Sequence, residues 1–340
     1  MNKSASLFTG GFLLGALLAS VMFSFVLRGK LSGGGAQGRT QTVLKLAHCL
    51  STEHPVHQAM EYMKTHLEEI SDGRMTVDIY PGSVLGSETQ CIEMLQNGSL
   101  AMTKTSAAAM ENFIPAMAVF GLPYIFRDAD HYWKVLNGDI GRALLRKGET
   151  RFLYGLCYYD AGSRNFYSRG SPIRTPEDLE GLKIRVMNSE TAIDMVKALG
   201  GAPTPIAWGE LYSALAQGTV DGAENNPPSF ISNRHYEVCK HFSLNGHTRI
   251  PDILMMSTRA RDKLTPQQRE WVQQAADASS EFQRALWKKE TVAALKKARE
   301  EGVNIYTVDT AVFAARVQPM LRQVENPEVR ELLDRIPEVH

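Results

Sequence analysis

The sequence predicts a protein of two α/β lobes that are bridged by one long helix. Strand and helix patterns alternate between residues 43 and 104, and the same alternation returns between 174 and 221. Such alternation is typical of a mostly parallel sheet that is covered on both faces. The segment 265–301 is a single helical pattern, about 50 Å long at 1.5 Å per residue, which exceeds the width of one lobe. A chain of 340 residues is long enough for two domains.

In the first half, apolar residues recur at steps of four and three over 56–70, which predicts an amphipathic helix. A second helix begins at Ser87, whose hydroxyl suits the N-cap, and ends at Gly98, which suits a left-handed stop. Short apolar or alternating runs that precede and follow these helices predict strands. The predicted strands are 43–47, 75–79 and 100–104.

The second half repeats this pattern. In RTPEDLEG (174–181), Thr175 is placed to cap a helix and Pro176 to occupy its first turn, where the missing N–H is harmless. The later elements follow in the order strand, helix, helix and strand. They are a strand at 182–187, a helix that ends at 199–201, a helix around 209–217 and a strand that leads to Asp221.

The longest helix has clear start and stop signals. Thr265 and Gln268 form a capping box around Pro266, and Gly302 closes the segment. One apolar stripe runs along it and is expected to face the core. The residues of this stripe are Trp271, Ala275, Ala278, Phe282 and Leu286.

The charge composition indicates which kinds of partner to expect, and the N-terminal segment indicates the compartment. The 37 basic and 37 acidic residues balance, and no basic run exists, so the sequence argues against a nucleic-acid partner. Residues 7–27 contain no charged side chain, which predicts either a cleaved export signal or an uncleaved membrane anchor. Both alternatives place the bulk of the chain in the periplasm. The Gly-rich segment 31–41 is a tether.

These patterns predict the domain organisation. We expect residues 1–41 to hold the signal or anchor and its linker. The first lobe is expected to comprise 42–161 and 251–290, and the second lobe 162–250 and 291–340, including the C-terminal helices. We expect a monomer.

No pattern in the chain indicates a cofactor or a metal ion. The four cysteines (Cys49, Cys91, Cys157, Cys239) are far apart with no CxxC, which favours buried free thiols over a disulfide. His54 and His57 lie one turn apart near His48, but no further ligand is spaced to complete a metal site. Hydrogen-bonding roles are therefore expected for these histidines.

The strand GLKIRVMNSE raises the main functional question, because Arg185 lies in its middle. A buried guanidinium needs a partner, and that partner is either an internal carboxylate, such as Glu190, Asp160 or Glu224, or an anion from outside. Other polar side chains stand near strand ends, where parallel sheets place their ligands. They are Arg164 and Asn225, and Trp208, which enters a helix, offers an apolar face for a carbon skeleton.

Three segments together resemble a known family. They are PGSVLGSETQCIEMLQNGSLAMT (81–103), RTPEDLEGLKIRV (174–186) and LGGAPTPIAWGELYSALAQGTVDGAEN (199–225). The order and the residues of these segments are similar to those of the DctP-type extracytoplasmic receptors of tripartite ATP-independent periplasmic (TRAP) transporters, and the resemblance covers about residues 43–335. The resemblance implies a two-lobed Venus flytrap with a long bridging helix.

The resemblance also implies roles for residues at the matching motif positions. The arginine of KIRV, Arg185, would form the main salt bridge to the carboxylate of an organic acid. Arg164 of the GSR segment and Asn225 of DGAEN would make further contacts, and Trp208 would line the pocket. The small and large membrane subunits of a TRAP permease would be the protein partners.

The segments AHCLSTEHPVH and SAAAMENF look like the sugar-acid branch of this family. A uronate or aldonate such as D-glucuronate is therefore the expected ligand. Its hydroxyl groups would meet polar side chains in and beside the first lobe. These expected contacts are His48, His54, Glu88, Lys104, Ser106 and Asn188.

An enzyme that acts on a sugar acid in the same cleft is the alternative function. It would need an activated nucleophile or a matched acid–base pair. The sequence contains no GxSxG, P-loop, GxGxxG or HExxH motif. The sequence therefore favours a receptor that binds its ligand without changing it.

Overall fold

The computed structural model describes residues 41–340, which fold into a two-lobed α/β structure with one sheet in each lobe. The predicted signal or anchor, 7–27, lies outside the described residues. The strands in chain order are β1 Thr42–Ala47, β2 Met75–Tyr80, β3 Met102–Ser106, β4 Leu153–Tyr159, β5 Arg164–Ser168, β6 Lys183–Val186, β7 Ala202–Pro205, β8 Gly222–Asn225, β9 His241–Thr248, β10 Asp252–Ser257 and β11 Asn304–Thr307.

Both sheets are mixed, although the sequence predicted mostly parallel ones. The first sheet has the order β2-β1-β3-β10-β4, and the second has the order β11-β9-β5-β8-β6-β7. β10 is antiparallel to β3 and β4, and β5 is antiparallel to β8 and β9. The reason is the chain path: β4 leads directly into β5 and β9 into β10, so these strands cross between the lobes in opposite directions.

The helices cover the sheets and connect the strands. In chain order they are α1 Pro55–Ile70, α2 Glu88–Asn97, α3 Ala107–Met110, α4 Ala129–Asn137, α5 Asp139–Arg146, α6 Glu190–Ala198, α7 Trp208–Gln217, α8 Pro227–Ser232, α9 His235–Val238, α10 Thr258–Arg261, α11 Pro266–Glu300, α12 Thr310–Arg322 and α13 Pro327–Arg335. Short 3₁₀ turns occupy Pro115–Gly121, Glu149–Arg151, Pro176–Leu179 and Ile336–Glu338. No helix within residues 41–340 has the length and hydropathy to cross a bilayer.

The capping signals in the sequence are confirmed. Ser87 forms a capping box with Gln90 at the start of α2, and Gly98 ends that helix at φ 82°. Thr265 and Gln268 form the predicted box at the start of α11. Each box satisfies backbone N–H groups that would otherwise have no partner in the first turn.

Two element boundaries differ from the prediction. Thr175 caps as expected, but the turn that follows, Pro176–Leu179, is a 3₁₀ turn and not the predicted α-helix. The strand predicted to lead to Asp221 instead begins one residue later, as β8 Gly222–Asn225. Both segments are only four residues long, so periodicity carries little information there.

The long helix α11 has 35 residues and contacts both lobes. It packs against α1 and β4 of the first lobe and against α8 of the second. Its buried seam differs from the predicted stripe by one position, since Phe282 is 38% exposed and Gln283 is buried. Gln283 accepts a hydrogen bond from the Asp160 N–H and donates one to the Asp160 carbonyl, so a polar side chain occupies the seam.

The C-terminal helix α13 packs against the turn Pro115–Gly121 in the first lobe. Arg127 there donates to the carbonyls of Pro337 and Val339. The predicted boundaries assign 291–340 to the second lobe, so the contacts of α13 differ from that assignment. The remaining lobe limits stay a prediction.

The crossing from β4 to β5 contains a glycine that the geometry requires. Gly162 has φ +58°, and a Cβ there would lie 2.8 Å from Nε1 of Trp287. Both the left-handed conformation and the close indole therefore favour glycine at this position. Trp287 belongs to α11, so the long helix packs directly on this crossing.

The four cysteines are all buried and unpaired. Burial raises the pKa of the thiols of Cys49, Cys91, Cys157 and Cys239. A raised thiol pKa disfavours the reactive thiolate. The prediction of buried free thiols is confirmed.

Candidate functional site

A small cavity of about 40 Å³ lies between the two lobes. Seven of the ten residues predicted from sequence line it: Glu88, Lys104, Ser106, Arg164, Arg185, Trp208 and Asn225. A larger cavity of about 440 Å³ shares Glu88, Arg185 and Trp208 and adds Asn188. Pockets for small ligands usually measure roughly 300–1,000 Å³. A ligand of ordinary size would therefore need the larger space as well as the small cavity.

Arg185 is the least satisfied charged group of this site. Its side chain is 2% exposed, and its Nε donates to the Ile206 carbonyl at 2.8 Å. Nη1 is buried without a hydrogen-bond partner among the described residues, and no carboxylate there lies within salt-bridge distance of Arg185. Burial lowers the pKa of Arg185, and the charge of Glu224 opposes that shift.

Arg164 is also buried, but it has internal partners for most of its donors. Its Nε and Nη2 donate to the two carboxylate oxygens of Glu224, and its Nη1 donates to Oδ1 of Asn225 at 3.0 Å. Burial alone would lower the pKa of Arg164, but Glu224 outweighs burial and raises that pKa. Burial would raise the pKa of Glu224, yet Arg164 and His247 lower it to about 2.

The register of the second sheet explains this difference. Phe166 on β5 pairs with Glu224 on β8, so Arg164, two residues before Phe166, shares the face of Glu224. Arg185 on β6 pairs with Ala223, which points to the opposite face, and with Thr204 on β7. Neither neighbour of Arg185 carries a charge. The internal-partner alternative therefore applies to Arg164 and not to Arg185.

Trp208 supplies a second buried donor beside Arg185. The guanidinium carbon of Arg185 lies 5.7 Å from the centre of the Trp208 ring. Nε1 of Trp208 is buried and, within residues 41–340, also lacks a partner. The sequence suggested only an apolar surface for this residue. Two unpaired donors next to each other suit a ligand that carries acceptor oxygens.

On the side of the first lobe, one ammonium lies between two carboxylates. Nζ of Lys104 is 3.2 Å from Oδ1 of Asp252 and 3.4 Å from Oε1 of Glu88. Oε1 of Glu88 also accepts from the Ser106 N–H at 3.0 Å. Burial alone would lower the pKa of Lys104, but Asp252 and the other acidic neighbours raise it.

The two histidines expected in the site do not line either cavity. Nε2 of His48 contacts Nδ1 of His57 at 3.0 Å, within the first lobe. His54 caps α1 and reaches across to Oγ of Ser229 at 3.1 Å. Within residues 41–340, no group of three His, Cys, Asp or Glu side chains is arranged to hold a metal ion.

Other polar contacts join the lobes around the cavity. Nδ2 of Asn112 donates to the Asn188 carbonyl at 2.8 Å, and Oε1 of Glu111 accepts from the Thr191 N–H at 3.2 Å. Glu111 and Asn112 follow α3, whereas Asn188 and Thr191 flank the start of α6. With the contact from His54 to Ser229, these bonds hold the lobes against each other.

Sequence reasoning missed three polar residues that line the cavity: Asn226, Ser229 and Asp252. A signal for Asp252 was available, because it is an acidic residue at the start of the otherwise apolar run DILMM. Asn226 follows Asn225 directly and caps α8 by accepting from the Ser229 N–H. Asn226 therefore has a structural role as the cap of this helix.

Buried histidines make the stability of the fold dependent on pH. Burial and then the charge of Arg185 lower the pKa of His235 to about 3, and burial with Lys104 and His57 lowers that of His48 to about 3. Below the usual value near 6.5 the unfolded chain binds protons that the folded chain does not, so stability falls as the pH decreases toward 3. We expect His235→Gln to reduce the slope of unfolding free energy against pH by up to about 1.4 kcal/mol per pH unit. Urea unfolding at several pH values tests this, and an unchanged slope would contradict it.

The comparison with protein families agrees with this geometry. Residues 46–327 match the model of the DctP family, described as bacterial extracellular solute-binding protein, family 7. The chain belongs to this family. DctP-family proteins are binding receptors rather than enzymes, and the family is extracytoplasmic.

Solved structures of TRAP periplasmic solute-binding proteins share the fold over nearly their whole length. A TRAP periplasmic solute-binding protein from Xanthobacter autotrophicus Py2, with bound β-D-galacturonate, is 36% identical with a TM-score of 0.84, covering 87% of this chain and 100% of the other. One from Pseudomonas putida F1, with bound D-glucuronate, is 36% identical with a TM-score of 0.84, covering 88% and 97%. A solute-binding protein from Chromohalobacter salexigens is 34% identical over 82% of this chain and 84% of its own. The predicted family and two-lobed fold are confirmed.

Proposed function

We propose that this protein captures a uronate or aldonate between its lobes, binds the carboxylate with Arg185, and delivers the acid to a TRAP permease. The observation that carries the proposal is the buried Nη1 of Arg185, which has no partner in the described part of the chain. Arginine presents a planar pair of donors that suits bidentate capture of a carboxylate. A ligand carboxylate bound at Arg185 would supply the charged partner that the neighbouring residues on β7 and β8 do not provide.

The other residues of the site would complete recognition. Nε1 of Trp208 would donate to the carboxylate or to a ring oxygen. Oδ1 of Asn225 is occupied by Arg164 and by the Asn226 N–H, so its amide nitrogen remains to donate to the ligand. Arg164 uses most of its five donors internally and would add one contact at most. On the side of the first lobe, Glu88, Lys104 and Ser106 would form hydrogen bonds with hydroxyl groups of the ligand.

Two lines of support favour a sugar acid over other organic acids. The first is the mixture of charged and amide groups around the cavity, which suits a ligand with one carboxylate and several hydroxyls. The second is that the two similar structures described above hold galacturonate and glucuronate. The permease subunits would receive the acid on the periplasmic side, where residues 7–27 would direct or tether the protein.

A thermal-shift screen of the full-length protein against organic acids tests this function. A true ligand at about 100 times its Kd should add about 2.7 kcal/mol to the free energy of unfolding. We expect D-glucuronate, D-galacturonate or an aldonate to raise the unfolding temperature, and neutral hexoses to leave it unchanged. No shift with any sugar acid, at concentrations that saturate similar receptors, would contradict the proposal.

The same samples distinguish a receptor from an enzyme. After prolonged incubation with a molar excess of the stabilising acid, NMR should show the acid unchanged. New resonances that grow with time and with protein concentration would instead support catalysis in the cleft.

A further inference from the structure

The group formed by Lys104, Glu88 and Asp252 has more negative than positive charge. Its single ammonium contacts both carboxylates, at 3.4 Å and 3.2 Å. The side chains of Lys104 and Asp252 are buried, and that of Glu88 is largely buried, with 16% of its surface exposed. We call these three side chains the acidic triad.

The acidic triad lies on the other side of the cavity from Arg185. Lys104 is on β3, Asp252 begins β10 and Glu88 begins α2, all in or beside the first sheet, whereas Arg185 is on β6 of the second sheet. A ligand whose carboxylate binds Arg185 therefore presents its other end to the triad. The chemistry of the triad determines which end groups are accepted there.

Ionised carboxylates only accept hydrogen bonds, so they attract hydroxyl donors and repel a second carboxylate, which is also only an acceptor. Lys104 cannot offset this repulsion, because its charge is already shared by Glu88 and Asp252. Burial raises the pKa of Asp252 and the charge of Lys104 opposes that rise, so a higher pH favours the ionised form of Asp252. Low exposure to water strengthens the repulsion.

We infer that the acidic triad makes this receptor selective for sugar acids with one carboxylate and excludes the dicarboxylates of the same carbon skeleton. The inference rests on the proposed function, because it assumes that Arg185 binds the first carboxylate. It adds that Glu88 and Asp252, rather than the size of the cavity, reject the second.

Three acids of one carbon skeleton isolate the end group. D-galacturonate ends in a hemiacetal, L-galactonate in a hydroxymethyl group and galactarate in a second carboxylate. L-galactonate and galactarate are both open chains, so their comparison does not involve ring shape. Calorimetric titration of the full-length protein at mildly alkaline pH should give a Kd for galactarate at least about 100-fold higher than for L-galactonate, since like charges brought together cost several kcal/mol.

Substitutions in the acidic triad should reduce the difference between the Kd values for galactarate and L-galactonate. In Asp252→Asn or Glu88→Gln one negative charge is lost and the shape is kept, so the ratio of the two Kd values should fall by at least about 10-fold. The pair of variants keeps the test valid if one of them folds poorly. Asp139→Asn is the matched control, because Asp139 is on the surface of the first lobe with its side chain 91% exposed, and it should leave the ratio unchanged.

Several results would overturn the inference. Similar affinities for galactarate and L-galactonate would do so, as would a ratio that neither triad variant changes. Binding of D-galacturonate but of neither open chain would also overturn it, because ring shape would then decide selectivity. If none of the three acids bound, nor D-glucuronate, the proposed function itself would fail.

Discussion

Arg185→Ala and Arg185→Lys should lose most of the affinity for a sugar acid and still fold normally. Removing one side of a buried, charge-assisted pair costs roughly 2–5 kcal/mol of binding free energy. Lysine keeps the charge but not the planar fork, so its affinity should also be far below that of the wild type. Titration calorimetry with the acid identified by the thermal-shift screen measures the loss.

Stability should hardly change in these variants because Arg185 has few internal bonds to lose. Its hydrogen bond to the Ile206 carbonyl is worth about 1 kcal/mol, and its unpaired Nη1 is a cost that the variants remove. Arg142→Ala is a control for the loss of one arginine, since its side chain is 66% exposed in the first lobe. A large drop in unfolding temperature with unchanged affinity would show that Arg185 is structural.

Arg164→Ala should have the opposite signature and destabilise the fold by about 3–5 kcal/mol. The substitution leaves the carboxylate of Glu224 buried, and the side-chain partner that remains within residues 41–340 is Nε2 of His247, 3.3 Å from Oε2. A buried charge without its partner is among the most costly defects in a folded protein. Urea unfolding of the variant, compared with that of the Arg185 variants, measures the difference.

A paired substitution tests the cause of this loss. Arg164→Met combined with Glu224→Leu removes both charges, so it should be more stable than Arg164→Met alone. If the double variant were the less stable one, the penalty would come from lost packing rather than from an unpaired carboxylate. Arg164 and Arg185 are both buried in the second sheet, but Arg164 has a carboxylate partner in Glu224. Substitution of Arg164 is therefore expected to lower stability, and substitution of Arg185 to lower ligand affinity.

Much of the fold follows from local signals in the sequence. The boxes at Ser87 and Thr265 and the stop at Gly98 depend on residues within one turn, so the sequence contains all the information needed. Directions of strands were less accessible, because β5 and β10 become antiparallel only through the crossings between lobes. The buried side of α11 differs from the predicted apolar stripe because Gln283 is buried there. Its hydrogen bonds to the Asp160 backbone cannot be predicted from a pattern of apolar residues.

The sequence predicted many of the residues that line the cavity, but not which of them pair with each other. Motif resemblance placed Arg164, Arg185, Asn225 and Trp208 together, and all four line the cavity. Which arginine has an internal partner depends on register between strands that are 60 residues apart at Arg164 and Glu224, and no local pattern records it. The pairing of Asp252 with Lys104 could not be predicted for the same reason, since the two residues are 148 positions apart in the sequence.

The expected roles of His48 and His54 came from the resemblance of AHCLSTEHPVH to the sugar-acid branch of the family. The structure instead gives His48 a bond to His57 and His54 a bond to Ser229 across the lobes. The spacing of histidines in the sequence does not show whether a histidine forms a hydrogen bond within the fold or faces a ligand.

The most direct test of the central claim is a cycle that removes the carboxylate and the guanidinium separately and together. It compares the Kd of the identified uronate with that of the neutral hexose of the same configuration, for the wild type and for Arg185→Met. If Arg185 binds the carboxylate, losing that carboxylate should cost the wild type roughly 2–5 kcal/mol and the variant almost nothing. An equal loss in both proteins would mean that the carboxylate is bound elsewhere and would contradict the account.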